Sequence, residues 1–133
     1  MLGDQTSLIL DQIRQASAVG QKLQIRGSGT KDFLGFIAPG LVVVETLPHQ
    51  GVINYRPEEL VVTVRSGTRL SELNAVLAGA DQYLAFDPPQ FGGDPTVGGI
   101  VASGLSGPGR PFRGAVRDAL LGLTLATSEG TSV

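Results

Sequence analysis

The first residues able to do chemistry are Arg26-Gly27-Ser28-Gly29-Thr30-Lys31. Two glycines around a serine let successive backbone N–H groups converge on an anion, and Ser28 and Thr30 add hydroxyl donors. Arg26 or Lys31 could supply positive charge. The dinucleotide fingerprint is not met, because Asp32 stands where a third glycine is needed, and no Gly-Lys-Ser/Thr follows at P-loop spacing. A tight strand-to-strand turn would use the same residues, so this loop alone leaves both readings open.

A second small-residue segment covers 96–108 and includes Thr96, Gly98, Gly99, Ala102, Ser103, Gly104, Ser106 and Gly107. Backbone of this kind can lie flat against an extended ligand or pack closely on another segment. Two glycine-rich segments separated by a strand-helix-strand favour one shared phosphate-bearing ligand. The single histidine, His49, is of the residue type suited to a general base, and an exposed turn residue is the plainer reading. Arg110, Arg113 and Arg117 could face a phosphate or a carboxylate substrate, a solvated surface or a partner subunit serves equally well, and Asp118 could pair with one of them.

The chain has 133 residues, 41% hydrophobic and 17% charged, which suits one globular domain. A net charge of -2 argues against a nucleic-acid partner. The absence of cysteine excludes a disulfide scaffold, a thiolate metal site and a cysteine nucleophile, and no metal site is expected. No basic stretch leads into an apolar run at the N-terminus, and no apolar stretch is long enough for a membrane span. A cytoplasmic location is expected, with attachment to a membrane only through partner subunits. Of the 19 glycines and 8 prolines, many lie within 88–114, interleaved with Ile100, Val101, Leu105 and Phe112. That mixture suits a packed, ligand-approaching segment better than a tether.

Several elements must position these residues. Thr6 or Ser7 is expected to cap a first helix carrying Leu8, Ile9, Gln12, Ile13 and Ala16 on one side, ending near Gly20. Strands are expected over 22–26, 41–46, 52–55 and 60–65, the second being a β-branched run suited to burial. Arg56-Pro57-Glu58-Glu59 should form a turn. Gly67 and Thr68 should open a second helix bearing Leu70, Leu73, Val76 and Leu77, and a short helix is expected within 96–104. Residues 120–127 read as a strand and Ser128-Glu129-Gly130 as a hairpin turn without a partner strand, so the chain is expected to be truncated or completed by another polypeptide. The class expected is α+β, with a βαβ-like lobe over about 1–60 and a sheet-rich, incomplete lobe over about 61–133.

Four stretches in order, 26–31, 57–74, 95–108 and 114–122, resemble the FAD-binding domain of vanillyl-alcohol-oxidase (PCMH) type, in the branch that supplies FAD-binding subunits to bacterial glycolate oxidases. The likeness runs from about residue 22 to about residue 130. It implies a module of a flavin-dependent oxidoreductase oxidising a small 2-hydroxy acid, with other subunits of a glycolate oxidase-type complex as partners. It also implies that Gly27, Ser28, Gly29 and Thr30, with Arg26, hold the FAD pyrophosphate, and that Pro88 and Pro89 border the flavin. Thr96, Gly98, Gly99, Ala102, Ser103 and Gly104 would line the cofactor with Ser106 and Gly107 nearby, and Gly114 and Val116 would approach the adenine half. Several relatives attach flavin through a histidine in the first loop, where this chain has Ser28 and Thr30, so FAD is expected to be noncovalent. The family's domain continues beyond the stretch present here, so this chain alone is expected to be inactive and no catalytic residue is nominated. A non-catalytic assembly subunit and an FAD-dependent reductase of the enolpyruvyl type are the competing readings.

Overall fold

A computed structural model of the chain describes residues 3–35 and 39–133. Helix α1 (Thr6–Ala18) buries Ile13 and Ala16, while Leu8 is exposed. Thr6 proves to be the first helical residue. Its N–H and hydroxyl both donate to Asp4 Oδ1, at 3.0 and 2.7 Å, so the anchoring carboxylate stands two residues earlier than the expected cap. Gly20, just beyond the helix end, takes a left-handed conformation at φ 65°, as a stop signal should.

Strand β1 (Leu23–Arg26) pairs in parallel with β2 (Val42–Glu45). The helix precedes this pair, and among the described residues none lies between the two strands, so the N-terminal part is not βαβ-like. With one neighbouring strand and α1 on one side, β2 buries Val44 alone, and Val42 and Val43 remain exposed against expectation. Strand β3 (Val52–Arg56) pairs antiparallel with β4 (Val61–Val64), with an irregularity between Val52 and Asn54. The turn joining them holds one 3₁₀ turn (Pro57–Glu59) and Leu60 in the left-handed region. This hairpin spans the lobe boundary expected near residue 60.

Helix α2 (Leu70–Ala78) buries Leu70, Leu73 and Leu77, and leaves Val76 partly exposed. It starts later than Gly67 and Thr68, because its first turn is satisfied from a distant segment. Ser71 donates its N–H and hydroxyl to the Asp94 carboxylate at 3.1 and 2.6 Å, and Leu70 N–H donates to Pro95 O at 2.8 Å. Helix α3 (Val97–Ser103) begins just after Pro95, beyond a long irregular stretch, and the short turns α4 (Arg110–Arg113) and α5 (Val116–Ala119) come after it. Leu70, Ile100 and Val116 form the core where α2, α3 and α5 meet, flanked by Leu84, Phe86 and Val101.

Residues 120–127 form no strand. Over 120–124 no strand partner is found among the described residues, and Leu121, Leu123 and Leu125 are exposed. The turn at 128–130 does find a return segment, contrary to expectation. Leu125 and Val133 exchange backbone hydrogen bonds of 2.8 and 3.0 Å, and Ala126 bridges Ser132.

Candidate cofactor-binding site

The glycine loop leaves β1 at Gly27 and stays half-buried through Lys31. Among the described residues, the N–H groups of Gly27, Ser28, Gly29, Thr30 and Lys31 find no acceptor, and neither the Ser28 nor the Thr30 hydroxyl has a partner. Consecutive half-buried donors without acceptors are uncommon in a folded chain, and such a run is open to an anion. Gly29 takes φ 74°, and an added Cβ would stand 2.5 Å from Arg26 Nη2. The dihedral favours glycine, and a larger residue would also displace the Arg26 guanidinium from Asp32.

Charge in this loop is divided. Arg26 donates to Asp32 Oδ2 from Nε and Nη2, at 3.0 and 2.7 Å, and stands 3.5 Å from Glu45. The bond to Asp32 raises its already high pKa. Its charge is thus matched within the loop, and it shapes the turn rather than facing an incoming anion. Lys31 has no ion-pair partner among the described residues, and partial burial lowers its pKa from 10.5. Lys31 is therefore the cation left available beside the unpaired amides.

The loop lies along the segment 91–96, and the two run in opposite directions. A Cβ on Gly27 would strike the Thr96 side chain, one on Gly93 would lie 2.7 Å from Thr30 Cγ2, and the Phe33 and Phe91 rings meet edge to face at 5.0 Å. No backbone hydrogen bonds join the two segments, so the loop donors stay unused. The α2 start pins 94–96 in turn, through the Asp94 and Pro95 contacts above and through Arg69 Nη1 donating to Asp94 O at 3.2 Å.

Residues of the second glycine segment have a different local role at the start of α3. Val97 N–H donates to Thr68 O, Gly98 N–H to Ser66 O and Gly99 N–H to the Thr96 hydroxyl, at 2.8, 2.7 and 3.2 Å. Gly98 is needed because an added Cβ would stand 2.7 Å from Ser66 Cβ. Close backbone packing, and not an open helix N-terminus, explains this end. Further along, Ala102 and Gly104 are exposed, and the Ser103 hydroxyl donates to Ile100 O at 3.1 Å. Gly107 N–H donates to Asp87 O at 2.6 Å, which ties the second segment to buried Pro88 and half-buried Pro89.

Gly104 and Val116 share a cleft of about 290 Å³ with Val101 and Leu120, rimmed by Arg110 and Arg117. Gly114 turns at φ 83° just before it, and Val116 N–H approaches the Ser106 hydroxyl at 3.4 Å. Asp118 accepts from Ala115 N–H at 2.8 Å and lies 3.7 Å from Arg117, so it closes α5 as well as pairing. Arg113 lines a separate cleft of about 360 Å³ with Leu70, Phe86 and Pro88. The expected residues thus fall into two groups, one at each end of α3, about 10 Å apart by helical rise.

His49 is not an exposed turn residue. Its side chain is 17% exposed, and Nδ1 accepts the Gln5 N–H at 3.0 Å. Burial lowers its pKa, Asp4 opposes this and Arg65 adds to it. It fastens the chain start to the loop before β3. Phe33, Phe91 and Asp94 were not singled out by sequence. The sequence signal for Asp94 was a lone carboxylate just before Pro95 and Thr96, which points to a cap without saying that α2 receives it.

Among the described residues no helix is long and apolar enough to cross a membrane. The sequence matches the family described as FAD binding domain over residues 4–133. It is also 42% identical over 127 residues to glycolate oxidase subunit GlcE of Escherichia coli strain K12. That similarity covers 96% of this chain and 36% of the relative, so the chain spans about a third of the protein it matches. Its loop of unpaired amides and its sequence agree, and the chain belongs to the FAD-binding domain family, with FAD as its cofactor.

Proposed function

We propose that this chain is the FAD-binding module of a flavin-dependent oxidoreductase that oxidises a small 2-hydroxy acid, glycolate by the likeness to GlcE, within a multi-subunit complex. The observation that carries the cofactor half of this reading is the run of donors from Gly27 to Lys31 that, among the described residues, have no acceptor and lie beside a cation without a counter-ion. The loop amides and the Ser28 and Thr30 hydroxyls would hold the pyrophosphate, Lys31 would balance its charge, and Arg26 would keep the turn in shape through Asp32. Pro88 and Pro89 would border the flavin, and the Gly104 and Val116 cleft at the other end of α3 would take the adenine half. An elongated ligand is what could touch both groups. Gly98 and Gly99 serve by letting α3 sit against Ser66, which fixes the distance between the two ends.

FAD, when bound, supplies the two-electron acceptor for such an oxidation. The residues of this chain bind and orient it. With neither a histidine nor a cysteine in the loop, attachment through such a side chain is not available there, and FAD is held noncovalently in this reading. No proton-transfer group is assigned, since His49 Nδ1 already accepts from the Gln5 N–H. The two-lobe division, the partner subunits and a cytoplasmic location belong to the same reading.

The experiment is anaerobic reduction of the FAD-loaded complex containing this chain. Glycolate should bleach the oxidised flavin absorbance, and acid denaturation should release free FAD. Bleaching by NADPH and not by glycolate would favour the enolpyruvyl-type reductase. A colourless complex with full subunit content would favour the assembly role.

A further inference from the structure

We propose that Phe33 and Phe91 form a latch that holds the glycine loop in its ligand-binding shape, an inference that rests on the FAD reading of that loop. The loop and the segment 91–96 touch at three places in opposite order, Gly27 with Thr96, Thr30 with Gly93, and Phe33 with Phe91. The first place is fixed, because Thr96 is buried and pinned by the start of α2. The last has no such support. Among the described residues no backbone hydrogen bond joins the two segments, and the aromatic contact is what closes that end.

The pair does not behave as core. Phe33 is 63% exposed and Phe91 50% exposed, and the rings meet at 73° with centroids 5.0 Å apart. Phe91 also takes φ 52°, a left-handed conformation unfavourable for a bulky side chain. An exposed ring held on a strained backbone gains little from burial, and strain of this kind collects at ligand clamps. What the contact does provide is loop order. Donors that converge on one anion must be fixed before the anion arrives, or binding must order them at a cost in affinity.

The test measures FAD affinity, dissociation rate and cofactor-free thermal midpoint for the wild-type chain, F33A, F91G and the double variant. Glycine accepts φ 52° freely, so F91G removes the ring and the strain together. A latch predicts that each single variant loses affinity on the order of tenfold, mostly through faster release. The double variant should lose no more than the weaker-binding single, and the F91G midpoint should not fall. Wild-type affinity in both singles, additive losses, or an affinity loss that tracks a fall in midpoint would overturn it. A wild-type chain that takes up no FAD would instead defeat the FAD reading. The latch is then judged by ¹⁵N relaxation of the amides of residues 27–31, where F91G must increase fast motion. Unchanged relaxation would overturn it independently.

Discussion

A half-buried ammonium with no counter-ion is stable only where water or an arriving anion solvates it, and Lys31 is in that position beside unpaired amides. Replacing it should therefore act on binding. Lys31→Gln should weaken FAD affinity about tenfold, the usual worth of one charge-assisted contact. Affinity should also fall as pH is raised towards the lowered lysine pKa, and this alkaline limb should vanish in Lys31→Gln, as flavin titrations between neutral and alkaline pH would show. Arg26→Gln should leave that limb intact, because Arg26 already faces Asp32. His49 makes a separate statement about stability. Its folded-state pKa lies below 6.5, so the unfolded chain binds more protons around that value. Stability should be complete above pH 6.5 and fall as pH drops through the folded value. His49→Gln should flatten this slope in thermal melts, since an amide oxygen can accept from Gln5 without titrating. A second loss should follow in acid, because Asp4, held at about 2 by the Thr6 hydrogen bonds, gives up its advantage as pH falls below 3.8.

At the scale of elements, the start of α3 is where two readings of one motif separate. Gly98 sits against Ser66 and the first N–H groups of α3 have internal acceptors, so Gly98→Ala should destabilise the chain by about 1–3 kcal/mol through overpacking. Thr96→Val should cost about 1 kcal/mol through the lost cap. Chemical denaturation would measure both, and a Gly98→Ala chain of native stability would refute the packing account. Helices α1 and α2 and the four short strands were legible because their apolar patterns are local: Leu70, Leu73 and Leu77 announce α2, and alternation announces β1, whereas α4 and α5 were not anticipated. What was not legible depends on distant partners. Asp94 sits 23 positions from the Ser71 it caps, and the exposure of Val42 and Val43 follows from how few elements cover β2. The glycine loop was legible as a turn with free donors, but the division of roles between Arg26 and Lys31 was not, because it turns on Asp32 folding back onto Arg26.

Across the whole molecule, apolar side chains remain on the outside along 120–125, where Leu121, Leu123 and Leu125 are 81%, 52% and 56% exposed. Exposed leucines so closely spaced, just ahead of the Leu125–Val133 pairing, make an apolar patch suited to association. The isolated chain should therefore self-associate with rising concentration, and Leu121→Lys with Leu123→Lys should suppress this in sedimentation velocity without lowering the thermal midpoint. The 120–127 pattern looked like a strand because alternation reports a strand's two faces and says nothing of whether a neighbour is present. The central claim concerns the other surface, the loop leaving β1. The most direct measurement is an amide-resolved NMR titration of the chain with FAD, and with inorganic pyrophosphate as the simpler anion. The account predicts that both ligands shift the amides of Gly27, Ser28, Gly29, Thr30 and Lys31, and that FAD alone also shifts Gly104 and Val116. Shifts at the start of α3 with a silent glycine loop would contradict it.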